Sequence, residues 1–262
     1  MNCKNCQTSQ RTDFNFCPAC GARVVQNRLT FKQLTYDVTE RYFNVDNTFI
    51  KTIVHLCTQP EAVVESYING VRRRYLNPIS HLGIALTLSG LLLFIMKKVF
   101  SSDLFTNAAD FGQKMSEELS TKLSEALFDY SSFMFVLYIP VFAIAGYLTF
   151  NRKNYFFSEY VIMFMYILAQ WSIVVFPISL AVLLIEPSYY FTLSFPLLFI
   201  MVGYCIYVMQ RINNYPTGAA ILRSLVYFLL SVGGYFGIVI GFYIIMFLTG
   251  TIELSDFVPP PK

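Results

Sequence analysis

The sequence predicts an all-α membrane protein. Five transmembrane helices follow a small cysteine-rich module and a set of amphipathic helices at the membrane interface. Three observations predict this. Of 262 residues, 55% are hydrophobic and 13% are charged, and the mean hydropathy is +0.52, whereas a soluble domain carries about 25% charged residues. Five apolar stretches approach or exceed the ~20 residues that cross ~30 Å of hydrocarbon. Four of the six cysteines fall within the first twenty residues. The 26 Phe and 18 Tyr also exclude a disordered chain.

Residues 1–27 form the first module. It is too small and polar to hold a hydrophobic core. Cys3-x-x-Cys6 and Cys17-x-x-Cys20 are ten residues apart. A two-residue gap lets one tight turn present both sulfurs to a single ion, and four thiolates close a tetrahedral shell around Zn²⁺. Gly21 follows Cys20 and tolerates the positive φ that aims backbone N–H groups at sulfur. Gln7 holds the equivalent place after Cys6 and is less suited to it. Disulfides are disfavoured in a reducing cytosol, and a redox Cys-x-x-Cys would sit beside a βαβ pattern that this chain lacks. The expected cofactor is structural Zn²⁺ in a zinc ribbon, because four protein ligands leave no open position for a substrate.

Residues 28–77 read as cytosolic juxtamembrane amphipathic helices. Phe31, Leu34, Val38 and Tyr42 recur at helical spacing. A second helix is expected from Asp46 to Cys57, with Asp46 or Asn47 as its N-cap. Pro60 opens a third, and Gly70 ends it before Arg72, Arg73 and Arg74. None is long or apolar enough to span, so they are expected to lie on a membrane face or on one another.

The five-span domain occupies 78–254, before a short tail at 255–262. Its spans are expected at about 79–96, 131–150, 159–185, 189–210 and 220–249. Pro140, Pro177 and Pro196 fall inside three of them and each removes a backbone hydrogen bond. Between the first two spans, residues 101–130 carry apolar residues at three- and four-residue steps, with charges mostly opposite. That pattern predicts an extracytoplasmic amphipathic helix.

Charge sets the orientation. Residues 1–77 hold ten Lys/Arg and six Asp/Glu, whereas 97–130 hold four and six. Basic and acidic loops then alternate, so the positive-inside rule puts the N-terminus in the cytoplasm and the C-terminus outside. No secretory signal peptide is evident. The first span is then the insertion signal of a multi-pass protein of the cytoplasmic (inner) membrane. Lys97 and Lys98, at its outer end, are discordant and can snorkel to the headgroups.

Other motifs carry two readings each. Arg72, Arg73 and Arg74 fit lipid or anion binding on an anionic leaflet, and equally fit a topology signal. Gly233, Gly237 and Gly241 form one smooth face for helix packing, either within the chain or in a homodimer. Gln170 and Ser172 lie mid-span, on a possible pathway or in an interhelical hydrogen bond. His81 is expected at the interface. Cys57 and Cys205 are expected to pack as small apolar groups. No ionisable residue lies securely mid-span, which counts against an ion-coupled pump.

Taken together, the Cys-x-x-Cys pairs, Phe16-Cys17-Pro18-Ala19-Cys20-Gly21, the run Thr52 to Pro60 and the stretch Tyr67 to Pro78 carry a resemblance. The chain resembles a bacterial family of uncharacterised polytopic membrane proteins with an N-terminal zinc ribbon. The resemblance implies an architecture and no reaction. A weaker likeness, by span count alone, is to the Yip family of five-span proteins.

The expected function is non-enzymatic: a cytosolic module that binds a partner protein or senses a state. Membrane lipids are the other expected partner, and nucleic acid is not expected. A transporter or channel for a small molecule or lipid is the second reading. A lipid-modifying enzyme near His81 and Arg72 is the third, but no nucleophile–base pair, phosphate loop or second metal cluster supports it.

Overall fold

A computed structural model of the chain describes residues 45–99, 117–186 and 189–250, together with positions 2, 3, 6–9, 11, 14 and 16–21. The expected helix around Phe31–Tyr42, residues 101–116 of the expected loop helix and the tail at 255–262 lie outside the described residues. The chain divides into two units, Met1–Asp46 and Asn47–Lys262. In the first, Asn2 and Ser9 form an isolated antiparallel bridge. No longer strand forms among the described residues.

The second unit is helical. Its helices are α1 (Val45–Thr58), α2 (Pro60–Ile68), α3 (Pro78–Val99), α4 (Glu117–Thr149), α5 (Phe157–Ile185), α6 (Tyr190–Asn213) and α7 (Thr217–Leu248). Among the described residues, four helical segments can cross a membrane by length and composition: Pro78–Lys97, Phe157–Ile185, Thr192–Asn213 and Thr217–Leu248. The remaining expected span, in α4, is the shorter apolar segment Phe133–Thr149.

Local sequence explains the helix boundaries. Asn77 caps α3: its Oδ1 accepts from the N–H of Ile79 at 2.8 Å and of Ser80 at 3.3 Å. Pro78 takes the first helical position, where its missing N–H is harmless. Helix α2 begins on Pro60 and ends where Gly70 adopts φ +87°. There the Val71 N–H returns to Ser66 O at 2.8 Å and closes the helix end. Helix α1 begins at Val45, so Asp46 and Asn47 stand inside its first turn and not at its cap.

One expected element takes a different form. The charged stretch from Glu117 is not a separate helix: it runs without a break into the apolar segment as the 33-residue α4. No Gly or Pro lies between Glu117 and Phe133 to end the helix.

Helix α5 is the hub of the bundle. Tyr160, Met163, Phe164, Tyr166, Ile167 and Ala169 are fully buried, and α5 touches α2, α3, α4 and α6. Lipid tails are as apolar as these side chains, so close packing and hydrogen bonds must hold the spans together. Gly146 of α4 shows the tightness, since a Cβ there would sit 2.7 Å from the Phe164 ring. Helix α7 is the peripheral member, with Ile221, Leu222, Leu229, Ile240 and Leu248 all exposed.

The short helices α1 and α2 do not merely lie at an interface. Leu56, Val63 and Val64 are fully buried in the same hydrophobic core as the α5 residues. The hairpin α1–α2 is part of the bundle, and it covers the end where α5 starts and α6 finishes.

Candidate functional site

In the first unit, Cys3, Cys6, Cys17 and Cys20 converge, with all four sulfurs within 4.8 Å of one another. Cys3 Sγ lies 3.7 Å from Cys20 Sγ, and Cys6 Sγ lies 3.6 Å from Cys17 Sγ. Bonds of about 2.3 Å from a tetrahedral ion place sulfurs roughly 3.8 Å apart. The cluster therefore has the size to hold one metal ion. The two knuckles are alike in backbone: Gln7 has φ +59° and Gly21 has φ +69°. Gln7 takes the left-handed conformation even though it carries a side chain, which sequence reasoning had marked as the weaker feature. The turns are closed by Gln7 N to Cys3 O at 2.9 Å and Gly21 N to Cys17 O at 2.8 Å. Hydrogen bonds from the Thr8 side chain and then its backbone lower the Cys6 thiol to about 6.

In the second unit, the hairpin is seated by polar groups buried at its contact with the bundle. Gln170 is 1% exposed. Its Nε2 donates to Ile53 O at 3.0 Å and to Cys57 Sγ at 3.2 Å. The expected bundle-facing amide is thus real, but its partner is α1 and not another span. The last carbonyls of α1 have no partner within the helix. Two tyrosines of α6 supply donors: Tyr204 Oη to Leu56 O at 3.0 Å, and Tyr207 Oη to Cys57 O at 3.2 Å. The Tyr166 hydroxyl donates to Leu76 O at 2.6 Å, and Thr52 Oγ1 accepts from the Leu76 N–H at 2.9 Å. At the rim, Arg211 bonds Glu61, with Nη2 to Oε1 at 2.5 Å, and Lys153 pairs with Glu65.

His81, expected at the interface, is fully buried within the protein. Its ring lies 6.4 Å from that of Phe49 and 6.0 Å from that of Tyr166. Helix α1 places Phe49 over it, which the sequence of α3 alone cannot foretell. Neither ring nitrogen makes a hydrogen bond of normal geometry among the described residues. Cys57 is exposed at its residue surface, against the expectation of a packed apolar group, while Cys205 is buried as expected.

Arg72, Arg73 and Arg74 are exposed on the connection between α2 and α3. Arg72 lies over the Tyr67 ring and Arg74 over the Tyr75 ring, each at 5.5 Å. Lys51 approaches the other tyrosine-borne site, 5.6 Å from the Tyr75 centroid. The Tyr75 hydroxyl is 2.8 Å from His55 Nδ1. Ser172 hydrogen-bonds Ser89 of α3 at 2.9 Å. A Cβ added at Gly233, Gly237 or Gly241 would meet nothing within 4 Å. Among the described residues nothing covers that glycine face, and Gly234 is the one pressed on α4, with Val141 Cγ1 2.4 Å from its would-be Cβ.

Sequence reasoning missed Thr52, Glu61, Glu65, Tyr166, Tyr204 and Tyr207. The signal for the acids was present: Glu61 and Glu65 stand four residues apart, on one face of α2. Tyrosines within spans read as apolar bulk, and only the neighbouring carbonyls reveal their role.

A family described as "Protein of unknown function (DUF3667)" matches residues 46–90. That stretch is about a sixth of the chain and covers α1 from its second residue, α2, the three arginines and the first part of α3 to Gly90, His81 included. It contains Thr52–Pro60 and Tyr67–Pro78, two of the stretches that carry the resemblance noted in the sequence. No curated protein and no solved structure matches the chain. The likeness to the Yip family gains no support.

Proposed function

We propose that this is a five-span protein of the cytoplasmic membrane whose N-terminal Zn²⁺ ribbon and α1–α2 hairpin face the cytoplasm. In this reading the ribbon binds a partner protein or senses a state, and the protein is not an enzyme. One observation carries the reading. The far end of α1 is bonded to α5 and α6 through Gln170, Tyr204 and Tyr207. A displacement of α1 is therefore passed to the spans. The four-thiolate donor set and its spacing favour Zn²⁺, which here has a structural task. Arg72, Arg73 and Arg74 rest the hairpin on the anionic leaflet, each base adding about 1 kcal/mol near that surface.

The test compares the intact protein with a Cys17→Ser/Cys20→Ser variant, each purified in mild detergent. The variant should lose bound zinc while remaining membrane-inserted. Proteins captured by the wild type in quantitative affinity purification should be lost with it. Identical capture by both forms overturns the ribbon as the recognition module.

A further inference from the structure

We propose that the spans, from the level of Trp171 toward the end opposite the hairpin, hold a binding site for an uncharged, lipid-soluble molecule with a flat ring and carbonyl oxygens, of the benzoquinone type. A cavity of about 420 Å³ lies there, walled by α3, α4, α5, α6 and α7. That volume falls within the ~300–1,000 Å³ range of small-molecule sites. Among the described residues its lining contains no Asp, Glu, Lys, Arg or His. A charged ligand would lose its hydration there without a counter-charge, so the ligand is neutral.

The walls specify more than greasiness. Phe135, Trp171, Phe176 and Tyr235 supply aromatic surface, which favours offset or edge contacts with a planar ring. Ser89 and Ser172 line the same space and bond each other at 2.9 Å. Two hydroxyls carry two protons, and their mutual bond uses one. The other is left to donate to a ligand oxygen. A ring with carbonyl acceptors answers both features, whereas an acyl chain answers neither.

Trp171 is the only tryptophan in the chain, so its fluorescence reports on this cavity without background. The probe is a benzoquinone carrying one isoprene unit, titrated against the full-length protein in lipid nanodiscs. Tryptophan amide in protein-free nanodiscs corrects for collisional quenching. The wild type should show saturable quenching. Ser172→Leu, which fills the cavity and removes a hydroxyl, should raise the half-saturation concentration at least tenfold. Ser179→Leu, on the same wall, repeats the test independently and guards against a folding defect in the first variant. Quenching that rises linearly in the wild type overturns the proposal. So does saturable quenching unchanged in both variants, provided they elute as monodisperse particles. Equal affinity for a sulfonated quinone would overturn the inference that the ligand is neutral.

Discussion

The side-chain nitrogen of Gln170 lies 3.0 Å from the carbonyl oxygen of Ile53, across the contact between α5 and α1. A mid-span amide is thereby spent on holding the hairpin. Replacing it by leucine keeps the bulk and removes the bond. A net contribution of about 1 kcal/mol is ordinary for such a bond, although interhelical bonds in membranes average nearer 0.6. Gln170→Leu should lower the midpoint of thermal unfolding in detergent by a few degrees while leaving membrane insertion intact. An unchanged midpoint would show that the bond does not hold the hairpin.

His81 makes a different prediction because its ring nitrogens have no protein partner of normal geometry. Phenylalanine fits between Phe49 and Tyr166 and gives up no protein hydrogen bond. His81→Phe should therefore stay within about 1 kcal/mol of wild type, since a large loss needs a broken contact, a cavity or a stranded charge. His81→Asp should unfold the protein by stranding a carboxylate in the core. A melting curve of each decides, and a collapse of the phenylalanine variant would contradict this account of the ring.

The thiol chemistry of the first unit predicts a pH profile. Thr8 lowers Cys6 to about 6 from an ordinary value near 9. The thiolate is thus the main form above pH 6 and is lost as pH falls through that value. The thiolate is the nucleophile. After metal removal by a chelator, iodoacetamide should modify Cys6 with an apparent midpoint near pH 6. Added Zn²⁺ should protect all four cysteines. A Cys6 midpoint near 9, measured by peptide mass spectrometry, would contradict the Thr8 hydrogen bonds.

The glycines of α7 separate internal packing from an open face. Gly234→Leu must push Val141 away and should cost about 1–3 kcal/mol, as overpacked cores do. Gly237→Leu projects where nothing lies within 4 Å and should leave the melting of the monomer unchanged. A comparable loss from both substitutions would mean that the Gly237 face is covered, as it would be in a homodimer.

Much of this architecture was legible in the sequence. Apolar length gives four of the expected spans, Asn77-Pro78 gives the start of α3, and Gly70 gives the end of α2. The four cysteines declare a metal-sized cluster by spacing alone. What the sequence hides is tertiary pairing. Gln170 reads as polar at depth, but nothing near it in sequence names Ile53, 117 residues away. Amphipathic α1 and α2 satisfy the pattern of interfacial helices equally well, because a membrane surface and a bundle end both reward one apolar face. His81 reads as interfacial from its place at the start of a span, until Phe49 arrives from another helix to cover it. Glycine spacing in α7 suggests a packed stripe, yet it is Gly234, off that stripe, that meets a neighbour.

The central claim is that the α1–α2 hairpin belongs to the bundle. Hydrogen exchange of the protein in nanodiscs, read by mass spectrometry, tests this most directly, because it reports the opening energy of each segment. The account predicts that amides of Ile53–Cys57 are protected to within about tenfold of those of Met163–Gln170, a gap of roughly 1.4 kcal/mol. Complete exchange of Ile53–Cys57 within seconds, while Met163–Gln170 stays protected, would contradict it.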